Sequence, residues 1–251
     1  KKIEAGQYVA NKSMLETLRA RNISVQLPDE ANFVDAIKPY ELDDANFKAA
    51  EQLERHKLEQ HFEGYVREGN RGVGTRNSIV LLATTSLTGS YVKQLEARFK
   101  DKLNAYSNID GVVAVAHTEG GTKTKPNNYD LVLRTLAGFM THPNVAAVLC
   151  VDMDHEVINN KMLESYLRDN HYSLESVTHK FLSLQRDFTE SLAQGEAIVQ
   201  SWLEPANQYK RTTVSASHLK LALQCGGSDA FSGISANPLA AWVAKELIRY
   251  G

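Results

Sequence analysis

Cysteine is almost missing from this chain, with only Cys150 and Cys225 among 251 residues. Two thiols cannot build a disulfide framework, so a reducing compartment is expected and the cytoplasm is the expected location. The Asn-x-Ser matches at Asn11 and Asn22 are then accidental. Long apolar runs are also lacking. No stretch nears the ~20 residues that a membrane-crossing helix needs, and no apolar segment opens the sequence. An excess of either charge is absent: 28 basic against 30 acidic side chains leave −2, which offers no footprint for nucleic acid or an anionic membrane. There is no repeat and no low-complexity segment, and the composition excludes collagen-like, disordered and coiled-coil classes. What is present is 43% hydrophobic residues, enough to bury the core of one large domain or two modest ones. Starting at Lys1 and stopping at Gly251 after a helix-like run, the chain reads as a piece of a longer protein.

Residues 3–9 read as a glycine turn followed by a short strand, and 23–27 as another small strand. Glu41 to Phe62 is highly charged with a thin apolar stripe at Leu42, Phe47, Leu53 and Leu58, the pattern of a solvated helix or linker. From residue 64 onward the pattern changes. Apolar runs without alternation at 78–84, 111–117, 145–152 and 178–184 are separated by helical patterns at 90–103, 129–140, 160–170 and 187–203. Strands of that kind are buried on both faces, which predicts a doubly wound α/β domain over about 64–210 with a mostly parallel sheet and flanking helices. A further strand at 219–224 and a helix at 238–250 are expected to begin another α/β domain.

Polar chemistry gathers in four places. The segment from Gly69 to Asn77 carries three glycines and two arginines before the first long strand, a flexible backbone bearing forked cations suited to a carboxylate or phosphate. It is equally readable as a turn with surface arginines, and neither a Rossmann fingerprint nor a Walker ending is present. His117-Thr118-Glu119-Gly120-Gly121 follows the second strand and suits either metal or acid–base chemistry, or a hydrogen-bonded structural histidine. Asp152-Met153-Asp154-His155-Glu156 follows the third, where acidic residues supply ligands or cap the next helix. The run from Cys225 to Pro238 crowds glycines, hydroxyls, a thiol and a carboxylate into a segment with almost no core-forming bulk, which favours a binding or catalytic loop. Asn237 before Pro238 is a plausible helix N-cap. His142-Pro143-Asn144 reads as a plain helix-to-strand turn, and His171 and His179 as surface or packing residues.

These strings resemble the altronate/galactarate dehydratase family of sugar-acid dehydratases. The matching residues are Gly64-Tyr65 with Arg67, Gly74-Thr75-Arg76-Asn77, His142-Pro143-Asn144-Val145, and above all Cys225-Gly226-Gly227-Ser228-Asp229 through Gly233-Ile234-Ser235-Ala236-Asn237-Pro238. The likeness covers about 61–251, and residues 3–14 resemble the end of the small β-rich SAF-type domain that precedes this region in the family. It implies four parts: that domain end at 1–14, a linker with a charged helix at 15–63, the α/β domain at 64–210, and at 211–251 the start of a carboxy-terminal domain. The implied activity is loss of water from an aldonate or aldarate to give a 2-keto-3-deoxy acid, aided by a divalent metal, usually iron(II), with manganese or magnesium as alternatives. Removing the proton α to a carboxylate creates a dianionic enediolate that a cation stabilises well.

Carried over residue by residue, the resemblance implies Cys225, Asp229 and His117 as catalytic groups. Arg76 becomes a carboxylate partner, and Asn77, Glu119, Ser228, Ser232, Ser235 and Asn237 contact the substrate. His117, His155 and Cys225 become metal ligands. This chain departs from the family where Thr85 to Thr88, Gly121 and His155 stand in loops that usually carry cysteine. The alternatives are therefore a sugar-acid-binding relative without catalysis, or a related lyase acting on another 2-hydroxy acid, such as a sulfonated one. Expected partners are a small-molecule sugar acid and, as an open alternative, further copies of the chain, with no nucleic acid and no membrane.

Overall fold

The computed structural model describes residues 40–251 apart from Thr122, Arg186, Cys225 and Ser228. The expected SAF-type end at 1–14 and the small strand at 23–27 lie outside the described residues. The chain divides into two units, Lys1–Gln52 and Leu53–Gly251. In the first, residues 40–52 are exposed, with a turn in which the Asp43 carboxylate accepts from Ala45 N and Asn46 N. The charged helix expected in the linker does not form over 40–60. Helices this short take most of their stability from packing an apolar face, and Leu42, Phe47, Leu53 and Leu58 are all exposed.

The second unit is built on a four-stranded parallel sheet. Its strands are β3 (Ser78–Ala83), β4 (Gly111–Val115), β5 (Val145–Asp152) and β6 (Thr178–Ser183), in the spatial order β4-β3-β5-β6. Helices α1 (Gly89–Ala97), α2 (Tyr129–Thr141) and α3 (Asn160–Asp169) make the three crossovers, and α4 (Phe188–Asn207) follows β6 and leads out of the sheet. Alternate residues of each strand enter opposite cores. Ile79, Leu81, Leu149 and Val151 join Tyr91, Val92 and Leu95 of α1 and Val199 and Leu203 of α4. Val80, Leu82, Val148 and Cys150 join Leu133, Leu136 and Met140 of α2 and Leu163 and Leu167 of α3. Both faces of β5 are covered and all eight of its residues are buried. This is why the strand shows no hydrophobic alternation, and the doubly wound α/β architecture read from the sequence is the one present. The N-termini of α3 and α4 are capped by side chains that accept from the first turn, Asn159 from Met162 N and Asp187 from Glu190 N.

A second, antiparallel sheet escaped the sequence pattern. β1 (His61–Arg67) pairs with β2 (Gly72–Gly74) on one side and with β7 (Thr212–Ser215) on the other. The boundary near residue 210 therefore falls beside a strand that is hydrogen-bonded back to residues 61–64. The strand expected at 219–224 is not formed. Those residues are irregular, and Leu221 and Leu223 are exposed, because no neighbouring strand is there to accept them.

The chain ends in α5 (Ala230–Ile234) and α6 (Ala236–Arg249). The cap of α6 is Ser235 rather than Asn237, and Pro238 sits in the first turn, where its missing N–H costs nothing. The end of α6 is tied to the start of the unit: His56 Nε2 meets Glu246 Oε2 at 2.9 Å, and Arg249 Nε donates to Glu54 O at 3.1 Å.

Two glycines inside helices separate packing from propensity. A Cβ on Gly195 of α4 would drive into the Tyr91 hydroxyl, which donates to Ser191 O at 2.7 Å, and would come within 2.9 Å of Leu95. A Cβ on Gly138 of α2 would meet nothing within 4 Å. Gly195→Ala is expected to lower stability by about 1–3 kcal/mol through overpacking, whereas Gly138→Ala should raise it by about 0.5–1 kcal/mol. Chemical denaturation of the two variants beside the parent checks both signs.

Candidate functional site

The parallel sheet has two polar ends. Beyond the carboxyl ends of its strands, the order β4-β3-β5-β6 reverses direction next to β3, where doubly wound sheets usually bind ligands. Thr85, the residue that caps the short turn after β3, donates to Glu156 Oε1 at 2.9 Å. Asp152, the last residue of β5, accepts from Asn160 N at 2.7 Å at the start of α3. Asp152, Glu156 and Asn160 are all at least nine-tenths buried. Each keeps one side-chain oxygen without a hydrogen-bond partner among the described residues. Burial is the main reason that the Glu156 carboxyl is pushed above the usual carboxylate range, with the Asp152 charge adding to it and the Thr85 hydroxyl opposing it.

His117 and Glu119 stand at the same end. His117 Nε2 donates to Ala83 O at 3.0 Å, and its Nδ1 accepts from Glu119 N at 3.2 Å. Both ring nitrogens are thus engaged within the fold, the arrangement of the structural histidine that the sequence left open. Glu119 accepts from Asn128 Nδ2 at 2.7 Å. These three side chains form the polar rim of a cavity of about 290 Å³ whose remaining wall, from Val115 to Phe139, is apolar apart from Thr135. His155 is exposed and donates from Nδ1 to Met153 O at 2.7 Å, which leaves its Nε2 outward. Among the described residues no group of three or more His, Cys, Asp or Glu side chains converges as a metal site. With Cys225 outside the described residues and His117 held at both nitrogens, the donors that are placed do not fit the iron site implied by the resemblance. No chemical step is derived through a metal.

The opposite end of the sheet is held by the strings that carry the family resemblance. Arg67, only 7% exposed, donates from Nε to Pro143 O at 2.8 Å and from Nη2 to Asn77 Oδ1 at 2.7 Å. Its guanidinium also stacks 4.7 Å from the Tyr209 ring centroid. Asn77, fully buried, donates in turn to Asn108 O at 2.7 Å and Ala206 O at 2.9 Å. Asn144 Oδ1 accepts from Thr75 N at 2.8 Å and Arg76 N at 3.2 Å, and a Cβ on Gly74 would strike the Pro143 carbonyl. The Gly-Thr-Arg-Asn and His-Pro-Asn strings therefore lock onto one another. Arg76 reaches out to Asp110 at 3.2 Å, with two-thirds of its side chain in solvent.

Arg76 and Asn77 precede β3, whereas His117 contacts its far end. Six strand residues at ~3.3 Å each put about 20 Å between them. That length keeps the carboxylate partner and the catalytic histidine implied by the resemblance out of one pocket. Of the carboxy-terminal candidates, Asp229 caps α5 by accepting from Ser232 N at 2.8 Å, while the Ser232 and Ser235 hydroxyls donate to Asp229 O and Phe231 O. Asn237 lies in the first turn of α6, and Cys225 and Ser228 lie outside the described residues.

Arg71 is the functional candidate that sequence reasoning passed over in favour of Arg76. Its guanidinium donates to Thr141 O, Ser176 O, His142 O and Val145 O, four carbonyls from the segments that flank β5 and β6. Burial first, then the nearby Arg67 charge, pulls its pKa down to about 10. The signal was its place between Gly69 and Gly74, with a turn in which Gly69, Asn70 and Gly72 take positive φ and aim the intervening arginine.

Comparison with known proteins now decides the family. Residues 64–207 match the family model described as D-galactarate dehydratase/Altronate hydrolase, second domain, and 216–251 match D-galactarate/Altronate dehydratase, C-terminal. The chain belongs to this family. It is 31% identical over 192 residues to altronate dehydratase of Bacillus subtilis (strain 168), which covers 76% of this chain and 37% of the relative. It is 32% identical over 174 residues to altronate dehydratase of Escherichia coli (strain K12), covering 69% and 34%. The (2R)-sulfolactate sulfo-lyase subunit beta of Chromohalobacter salexigens is 26% identical over 190 residues, covering 76% and 44%. The chain thus spans about a third of the length of the altronate dehydratases it matches.

Asn77→Ala would leave the buried Arg67 without its side-chain acceptor and take one donor from each of the Asn108 and Ala206 carbonyls. A loss of about 2–4 kcal/mol in unfolding free energy is expected, measured by urea titration. Arg76→Ala, which breaks only an exposed pair, should cost at most about 1 kcal/mol in the same titration.

Proposed function

We propose that this chain is part of a lyase that removes water from a sugar acid, an aldonate or aldarate, to give a 2-keto-3-deoxy acid. The supporting observation is that the Gly74–Asn77 and His142–Val145 strings, which carry the family likeness, interlock at the amino end of the sheet. In the reaction a base takes the proton α to the carboxylate, and an acid delivers a proton to the departing β-hydroxyl, so that one water leaves and the enol product tautomerises to the keto acid. Cys225 and Asp229 are the proposed acid–base pair, and Ser228, Ser232, Ser235 and Asn237 are the proposed contacts to substrate hydroxyls.

A second reading, sugar-acid binding without turnover, is favoured by one observation. The loop position at Thr85, cysteine in the family pattern, spends its hydroxyl on Glu156, and His117 has neither ring nitrogen open. One experiment separates the two. The full-length protein is incubated with D-altronate, D-galactarate or (2R)-sulfolactate and Fe(II), Mn(II) or Mg(II), and 2-keto-3-deoxy acid or released sulfite is measured. Dehydration of a sugar acid that falls at least about a hundredfold in Cys225→Ala is expected. Thermal stabilisation by a sugar acid with no product under any metal would support the second reading. Release of sulfite alone would move the protein to the related lyase reaction.

A further inference from the structure

At the amino end of the sheet lies a cavity of about 460 Å³, within the range of small-ligand sites. Its wall includes Arg71, His142, His218 and Lys220, with the hydroxyls of Thr75 and Ser217, and no acidic residue lines it among the described residues. Arg71 and Lys220 bring two positive charges to a cavity with no carboxylate among its described lining residues, which favours an incoming anion. Arg71 is aimed but not neutralised. All four of its hydrogen bonds end on carbonyls, and the five N–H inventory of a guanidinium leaves one donor over. His142 Nδ1 accepts from Asn144 N at 3.1 Å, so its remaining nitrogen is a donor. Burial and the Arg71 and Lys220 charges hold its pKa below the ordinary value. Lys220 forms no ion pair among the described residues and stands five positions before Cys225.

We propose that this cavity is the carboxylate subsite for the sugar acid, with Arg71 and Lys220 holding the anion and Thr75 and Ser217 facing its hydroxyls. The inference rests on the dehydration reading for the identity of the ligand, and it replaces Arg76 as the carboxylate partner. Arg76 already has Asp110, whereas the cations of this cavity lack a counter-charge. The shared chemistry is that of any small oxyanion. A polyhydroxylated carboxylate uses the hydroxyl lining, and inorganic phosphate does not.

Calorimetric titration of the full-length protein with D-altronate, D-galactarate and inorganic phosphate tests it. The proteins compared are the parent, Lys220→Ala, Lys220→Glu, Lys220→Arg and, as a control, Lys93→Ala on the exposed face of α1. Lys220 is itself exposed, so these changes leave the core intact. Loss of one charge-assisted contact should weaken sugar-acid binding about tenfold in Lys220→Ala. Lys220→Glu should weaken it further, Lys220→Arg should restore most of it, and Lys93→Ala should match the parent. Unchanged affinity in Lys220→Glu overturns the site, as does tighter binding of phosphate than of either sugar acid, or no saturable binding to the parent. Turnover with KM unmoved by Lys220→Glu would discard the subsite and keep the dehydratase reading. Lys220-dependent binding without turnover would keep the subsite and discard that reading.

Discussion

A guanidinium withdrawn from water keeps its charge, so everything near it must arrange itself as acceptors. Arg67 imposes that demand on the amino end of the parallel sheet. It is met in part by the Pro143 carbonyl, the Asn77 side-chain oxygen and the faces of Tyr65 and Tyr209, while Nη1 has no hydrogen-bond partner among the described residues. The four partners come from the ribbon strand β1, the lead into β3, the turn before β5 and the segment after α4. Arg71 repeats the logic one turn away with four more carbonyls. Two arginines thus fasten the antiparallel ribbon to the α/β unit without a single buried carboxylate partner, and the surplus positive charge is expressed at the adjoining cavity.

That surplus bears on where chemistry sits. Doubly wound sheets ordinarily bind ligands beyond the carboxyl ends of their strands, and polar residues do gather there. Thr85, Asp152, Glu156 and Asn160 are nevertheless buried there, the last three each with one oxygen unpartnered among the described residues, and His117 is tied at both nitrogens. The amino end is the one that combines an open cavity with cations lacking a counter-ion. The Gly74–Asn77 and His142–Val145 strings cluster at that end too, which gives them a physical role as the frame of a basic cavity.

The sequence was informative where burial is two-sided. Strands such as 145–152 have no solvent face, so their apolar runs are uninterrupted and their ends are sharp. The helices between them carried their own periodicity and caps. The antiparallel ribbon was not legible, because β2 is three residues long and β1 alternates around Gly64 with partners almost 150 residues away. Nothing local announces such pairing. The same nonlocality explains the site. Residues 69–77 were read as suited to an anion from their glycines and arginines, but which arginine faces the cavity depends on carbonyls at 141–145 and 176. The charged stretch at 41–60 was misleading for the opposite reason, since its periodicity describes a helix that has no surface on which to pack.

The placement of Cys150 carries one more consequence. Its sulfur lies in the middle of β5 with no exposed surface, and burial, reinforced by the Asp152 charge, pushes the thiol well above its ordinary pKa. Such a group stays protonated and shielded from alkylating or oxidising reagents for as long as the central strand is in place. Its rate of modification is therefore an internal clock for opening of the sheet, readable by mass spectrometry without attaching any probe to the molecule.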